Sequence, residues 1–465
     1  MLTKAVIARL RQTVGENNVY HEQEDLLVYG YDATPEIQAL PEVAVFPENI
    51  EGLRSALAVC REEGLRVTPR GAATGLSGGS TPVAGGMVLG LTRMNRILEI
   101  DEENLTATAE AGVITIDLFN AVAARGLFYP PDPGSQNVST LGGNVAENAG
   151  GLRGLKYGVT RDYVMALNGL LYDGTEFSAG GKCVKDVAGY SLRDLLVGSE
   201  GTLGIITEVT VRLISPPRDK RTLLAYFRDI RTAGEAVSKI IAARIIPATL
   251  EIMDRTTIHC VEDYMKIGLP RSMAAMLLIE VDGHPAVVAE EAQGVRRGLE
   301  EVRADEIQQA QNADEAARLA AARRTALSAV ARVSPTTILE DATVPRSRLA
   351  ETFAEIERLK EKYQVRVATF GHAGDGNLHP TALADERNPR EIQNVHAFFS
   401  ELYEKVLSVG GTVSGEHGIG IAKKEYLLRQ FGEGGMGVMR RIKDAFDPGG
   451  LLNPGKIFSG GGPHA

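Results

Sequence analysis

"PRGAATGLSGGS", residues 69–80, sets glycines at 71, 75, 78 and 79 directly after the strand-like "LRVTP". Glycine accepts backbone conformations and close approaches that a side chain forbids. A loop this rich in it can turn successive N–H groups inward and cradle an anion. It lacks the GK[ST] of a P-loop, and it is not the dinucleotide fingerprint GxGxxG. The one formal GxGxxG, at Gly432, Gly434 and Gly437, follows a helical stretch instead of a strand and is read as chance. Taken alone, 69–80 could equally be a long hairpin connection.

Two further blocks change that reading. "PPDPGSQNVSTLGGNVAENAGGLRGLKYG" (130–158) is too rich in glycine and asparagine for ordinary core, and too long for a turn. Long irregular segments in folded domains are usually functional. "GSEGTLGIITEVTVRL" (198–213) places more glycine directly before an alternating strand. Three such segments in one region can enclose a large, phosphate-bearing ligand.

Outward from these blocks, the chain reads as a mixed α/β protein. "EVAVFP" predicts a strand, and "ENIEGLRSALAVCREEG" a helix with Ile50, Leu53, Ala56, Leu57 and Cys60 on one face. Residues 160–214 read mostly as strand. The composition changes at Ser215-Pro216-Pro217-Arg218, which predicts a boundary. Beyond it, a helix over 230–243, "TLEIMD", "AAMLLIEVDG", a long helical stretch over 285–332, "TTILEDATV" and "VRVATFG" predict an α+β domain with an antiparallel sheet. The chain then closes with a helix, "FDPGGLLNPGKIF" and a low-complexity "SGGGP" tail.

Composition narrows the function. A net charge of −10 with no basic stripe argues against nucleic acid as a partner. The cysteines, Cys60, Cys183 and Cys260, are far apart, which excludes a CxxC metal or redox pair and predicts reduced thiols. The N-terminus reads as an amphipathic helix, not a signal peptide. No apolar run reaches the ~18 residues of a membrane span. A cytoplasmic protein is expected, peripheral to the membrane only through a partner.

The chain has eight histidines, yet two of them fall in "GHAGDGNLHP" (371–380), and "SGEHGIG" follows about forty residues on. His372, His379 and Glu416 are two imidazoles and a carboxylate, a donor set that suits zinc, iron or manganese with positions left open. The bland alternative is a pair of loop histidines beside turn glycines.

Together, "PRGAATGLSGGS", "STLGGNVAENAGG", "VGSEGTLGIITE", "GHAGDGNLHP", "GEHGIG" and "DPGGLLNPGK" resemble the vanillyl-alcohol oxidase/p-cresol methylhydroxylase (PCMH) flavoprotein superfamily. The similarity is to the branch with the flavoprotein subunit of glycolate oxidase, D-lactate dehydrogenases and D-2-hydroxyglutarate dehydrogenase. The motifs run in order over almost the whole chain. The resemblance implies an α+β fold: a PCMH-type FAD-binding domain of two α/β subdomains over 1–217, and a substrate (cap) domain with a large antiparallel sheet and the metal site over 218–425. A C-terminal segment, 426–465, would return to the FAD domain.

It further implies that Pro69, Arg70, Gly71, Gly75, Leu76, Ser77, Gly78 and Gly79 wrap the FAD pyrophosphate, with N–H groups of Gly71, Gly75, Ser77, Gly78 and Gly79 as donors. Asp132, Pro133, Thr140, Gly143, Asn148, Gly150, Gly151 and Gly158 would line the ribityl and isoalloxazine region. Glu200, Gly204 and Ile206 would close over the adenine half, and Asn453 would return to the flavin. Some members hold FAD covalently through a histidine in the first glycine loop; none lies between His21 and His259, so non-covalent FAD is expected.

By the same resemblance His372, His379 and Glu416 hold one divalent metal and His417 is the catalytic base. Arg323 would bind the substrate carboxylate, although Ala320 stands where the family pattern has tryptophan. The residue-level alternative is a solvated arginine on a helix face. Lys185 and Tyr190 match a family motif whose role the sequence leaves open. The implied activity is oxidation of a small D-2-hydroxy acid, D-lactate or glycolate, with electrons passed to an electron-transferring flavoprotein or an iron–sulfur subunit. The competing readings are a non-catalytic FAD relay subunit and a metallohydrolase, which would leave the glycine blocks without a use.

Overall fold

Parallel strands need a long crossover, and the helix after the first predicted strand supplies one. The computed structural model, which describes residues 2–458, pairs strand Val43–Val45 in parallel with Met87–Gly90, and that strand in parallel with Val67–Arg70. Val19–Tyr20 adds an antiparallel edge. The crossover helix, Ile50–Glu63, starts where Asn49 Oδ1 accepts the Gly52 N–H and stops at Gly64, whose φ is 63°. Its Leu53, Ala56, Leu57 and Cys60 are buried in the core beneath the sheet.

A five-stranded antiparallel sheet follows, in the order Ile97–Asp101, Thr106–Glu110, Ile205–Arg212, Val164–Leu170, Glu176–Gly180. Between 181 and 190 the expected strand is absent. The chain there is irregular, with Val184, Val187 and Tyr190 each more than 90% exposed, because no face covers them.

The chain divides into two units. The first holds the residues up to Ala149, Val159–Pro216 and the chain from Glu416; the second holds Gly150–Gly158 and Pro217–Gly415. The second unit carries an eight-stranded sheet paired antiparallel throughout. Its order is Glu306–Gln309, Asp219–Phe227, Ala275–Gly283, Thr249–Asp254, Arg366–His372, Asn377–Ala384, Thr336–Leu339, with Ala342–Thr343 also on Asn377–Ala384. Helix Leu349–Tyr363 packs between helices Ile230–Ala242 and Pro389–Ser408. The expected helical run over 285–332 is broken. Helices Pro285–Glu301 and Ala313–Arg324 flank the edge strand Glu306–Gln309, whose exposed polar residues carry no alternation to announce it. Among the described residues no helix is long and apolar enough to cross a membrane. The "SGGGP" tail lies outside the described residues.

Helix Lys424–Phe446, broken at Gly432, leads into a segment that rejoins the first unit. Leu452 enters the core beneath the parallel sheet and bridges Val67. The joint is ionic: Asp447 accepts the N–H groups of Leu451 and Leu452 and pairs with Lys443, whose Nζ also reaches the carbonyls of Thr202 and Leu452. Burial pulls the Lys443 amine below its ordinary pKa range.

The same unit brings three carboxyls together, Asp32 and Glu200 buried and Glu147 half-buried. Glu147 Oε2 has no hydrogen-bond partner, and burial first, then the charges of Glu200 and Asp32, push its pKa well above the carboxylate range. Burial likewise raises Asp32.

Asp447→Ala leaves a buried ammonium without its counter-charge and should cost about 3–5 kcal/mol, read as a lower urea midpoint, with Asp447→Asn costing less. The raised pKa lets Glu147 keep its proton to higher pH in the fold than in the unfolded chain, where a glutamate ionises from about pH 4.3. Wild-type stability should therefore fall as pH rises from there through the raised folded value. Glu147→Gln removes that loss, so its melting temperature should gain on wild type with rising pH. A gap constant from pH 5 to 8.5 would refute the raised Glu147 pKa.

Candidate flavin and metal site

Within the first unit, parts of the glycine blocks meet. Thr140 caps helix Leu141–Glu147, accepting the Gly143 N–H, and a Cβ at Gly71 would collide with its hydroxyl. Gly79 and Gly75 pass beside the Glu147 carboxyl. Gly198 and Glu200 donate their N–H groups to Val145 and Ala146. Asn453 Nδ2 bridges the Gly79 and Glu200 carbonyls at 3.0 and 2.7 Å. The neighbouring Lys456, lowered by burial to about 8, donates to Thr81 O and Asn453 Oδ1. Only glycine fits at Gly71, and the loop closes on polar side chains of the first unit.

Other expected contacts are distributed differently. The Gly78 N–H is taken by Thr34 Oγ1, and the Ser77 carbonyl accepts from Ile421 and Ala422. Pro69 lies in the parallel sheet beside Leu89, and Leu76 is half-buried. The Arg70 guanidinium is spent on the carbonyls of Val28 and Tyr31. Asp132 is buried ahead of Pro133 in the loop before Thr140, while Asn148 ends the helix at φ 56° and accepts the Arg161 N–H. Gly204 packs on Phe177 and Leu196, and Ile206 lies in the core of the five-stranded sheet. Gly150, Gly151 and Gly158 belong to the second unit, where Lys156 and Tyr157 bind the Asp282 carboxylate at 2.6 and 2.7 Å. Lys185 and Tyr190 lie in the exposed 181–190 segment.

The histidines owe their meeting to strand register. Strands Arg366–His372 and Asn377–Ala384 form a hairpin in which Phe370 faces His379 and His372 faces Asn377. Alternation puts Phe370, His372 and His379 on one face. The His372 and His379 rings lie 5.1 Å apart, edge to face. Gly376, at φ 87°, makes the turn, and a Cβ there would strike the Val344 carbonyl. Gly415 is held against this hairpin: its N–H donates to the fully buried Asp341 at 2.7 Å, and a Cβ would collide with Thr343 Oγ1. Glu416 is the next residue. Ligand atoms of His372, His379 and Glu416 all lie within 4.8 Å of one another. Two imidazoles and a carboxylate at this separation fit a divalent cation such as zinc, iron or manganese with open positions.

His417 is nearly buried. The turn after it is fixed within the first unit by Glu200, whose two oxygens accept the N–H groups of Ile419 and Gly420 at 2.7 and 2.6 Å. Gly418, at φ 80°, sits where a Cβ would meet the Glu147 carboxyl group.

Arg323, near the end of helix Ala313–Arg324, is 5% exposed, so it is not on a solvated face. Its guanidinium lies 4.9 Å over the Phe370 ring. Its counter-charge is Glu251, which the sequence reading missed. That residue sits in "TLEIMD", where Asp254 caps the following helix through Thr257 and Glu251 is the acid inside the strand; a carboxylate between Leu250 and Ile252 in a run that otherwise reads as core was the only signal.

The chain was compared with known proteins. A family model for the C-terminal domain of FAD-linked oxidases matches residues 216–457, and one for an FAD binding domain matches 41–180. The chain is 51% identical to glycolate oxidase subunit GlcD of Bacillus subtilis (strain 168), covering 99% of this chain and 98% of that one. It is 39% identical to the protein of the same name from Escherichia coli (strain K12), over 97% and 90%. It is 36% identical to D-lactate dehydrogenase of Anaerostipes hadrus, over 97% and 95%. The solved structure of p-cresol methylhydroxylase with substrate bound superposes with a TM-score of 0.81 over 98% and 97% of the chains at 16% identity, a likeness of fold. The architecture is thus a PCMH-type FAD-binding domain joined to an α+β domain with a large antiparallel sheet, the terminal segment returning to the first. By these matches the chain belongs to the FAD-linked oxidases.

Proposed function

We propose that this enzyme oxidises a small D-2-hydroxy acid, D-lactate or glycolate, to the 2-oxo acid with non-covalent FAD and one divalent cation, zinc, iron or manganese. The observation that carries the reading is the convergence of His372, His379 and Glu416 to within 4.8 Å in an FAD-linked oxidase. When bound, FAD would supply the acceptor for the C2 hydride, and a cation at the hydroxyl oxygen would lower the cost of removing its proton.

The chain's own residues do the rest. His372, His379 and Glu416 hold the cation. The buried Arg323 guanidinium, backed by Phe370, binds the substrate carboxylate by charge-assisted hydrogen bonds. His417, next in the chain to a metal ligand, takes the hydroxyl proton; an imidazole near neutral pKa suits that task. Cys60 and Cys260 are buried and Cys183 stands alone, so no cysteine cluster carries the electrons onward. They pass to a separate acceptor, an electron-transferring flavoprotein or an iron–sulfur subunit. The word "subunit" in the relatives' names supports such a partner. Cytoplasmic residence, with membrane contact only through that partner, completes the reading. A relay subunit without chemistry of its own would have no use for the His–His–Glu set.

Chelation should abolish flavin reduction by substrate while the protein stays yellow, and His379→Ala should purify with FAD but without stoichiometric metal. Full metal occupancy in His379→Ala would remove this ligand set. His417→Ala should keep both cofactors yet reduce its flavin about 10²–10⁴-fold more slowly in anaerobic stopped-flow. Arg323→Lys should instead raise KM more than it lowers kcat, since a point charge replaces a fork.

A further inference from the structure

Glu251 has no part in the steps above, yet it is a carboxylate buried in the middle of the sheet. It is 1% exposed, in strand Thr249–Asp254, between the buried Leu250 and Ile252. A carboxylate out of water costs several kcal/mol unless its partners repay it. Its partners are two residues already given roles. Oε1 lies 2.7 Å from His372 Nδ1, and Oε2 lies 2.7 Å from Arg323 Nε. The second contact is an ion pair, not aligned as a hydrogen bond, and Arg323 Nη2 is buried without a hydrogen-bond partner.

The register brings this about. Ile252 faces Gly371 and Met253 faces Phe370, so one further step sets Glu251 beside His372 in the same cross-strand row. A neutral imidazole whose Nδ1 donates to a carboxylate keeps its proton there, and its Nε2 becomes the ligating nitrogen. An arginine held at Nε by a buried carboxylate is fixed in both charge and direction, with its terminal nitrogens left for another anion.

We propose that Glu251 is the positioning residue shared by the two halves of the site. It sets the His372 tautomer for the cation, and it anchors Arg323 so that Nη2 is presented to the substrate carboxylate. The inference rests on the roles given above to His372 and Arg323. It adds that one carboxylate governs both metal affinity and substrate affinity.

The test is a titration of metal-stripped, FAD-loaded protein with Zn²⁺ against a competing chelator, for wild type and Glu251→Gln, with flavin content and melting temperature recorded. Glu251→Gln keeps the shape but loses the charge. It should bind Zn²⁺ about 10–100-fold more weakly, and the reconstituted enzyme should show a raised KM, with flavin content unchanged. Should Glu251→Gln fail to fold, Glu251→Asp keeps the charge but draws the carboxylate back from both His372 and Arg323, and it should weaken Zn²⁺ in the same direction. Wild-type Zn²⁺ affinity in a folded variant overturns the proposal and leaves the metal site standing. A wild-type protein that binds no Zn²⁺, Mn²⁺ or Fe²⁺ overturns the metal site itself, and this proposal with it.

Discussion

A carboxylate removed from water must find donors or give up its charge, and in this chain that constraint fixes the turns on which the site is built. Asp341 holds the Gly415 N–H, Glu200 holds those of Ile419 and Gly420, and Asp447 holds those of Leu451 and Leu452. The first two join a late segment of the chain to its own unit, and the third fixes the turn of a segment that Lys443 ties to Thr202; hydrogen bonds to a charged group are stronger than neutral ones. Glu251 is the same device turned on side chains. Glu147 is the exception that shows the rule: with no donor at Oε2 and two acids beside it, its pKa is pushed up.

The second requirement is close approach. At Gly376 and Gly418 the backbone adopts positive φ and another group occupies the place of a Cβ. Gly376 closes the hairpin that aligns His372 with His379. Gly418 lets the chain turn immediately after Glu416 and His417. The donor set therefore depends on a strand register and two tight turns, not on flexible loops, and such a site is pre-organised for whatever it binds.

What could be read from sequence follows from the same physics. Glycine blocks and paired histidines are local patterns, so the FAD-linked family, the two-part α+β architecture and the His–His–Glu group were legible in the order of six motifs. Glu251 was not, because its meaning lies in partners distant in sequence; the His372 contact spans 121 residues. The strand Glu306–Gln309 was missed because an exposed polar edge carries no alternation, and the irregular 181–190 segment because its valines imitate a strand. The Arg70 side chain, grouped with its glycine neighbours as a cofactor contact, is taken up by backbone carbonyls that only the folded chain brings within reach. Gly150, Gly151 and Gly158, continuous in sequence with the second glycine block, fall in the other unit because Asp282 binds Lys156 and Tyr157.

The central claim is that a 2-hydroxy acid is oxidised on this chain by its own flavin. The direct measurement is anaerobic mixing of the yellow, metal-replete protein with D-lactate, L-lactate and glycolate in turn, following the flavin absorbance. Rapid bleaching is expected with D-lactate or glycolate and little with L-lactate. Flavin that stays oxidised with every one of them, in protein shown to hold both FAD and metal, would contradict it.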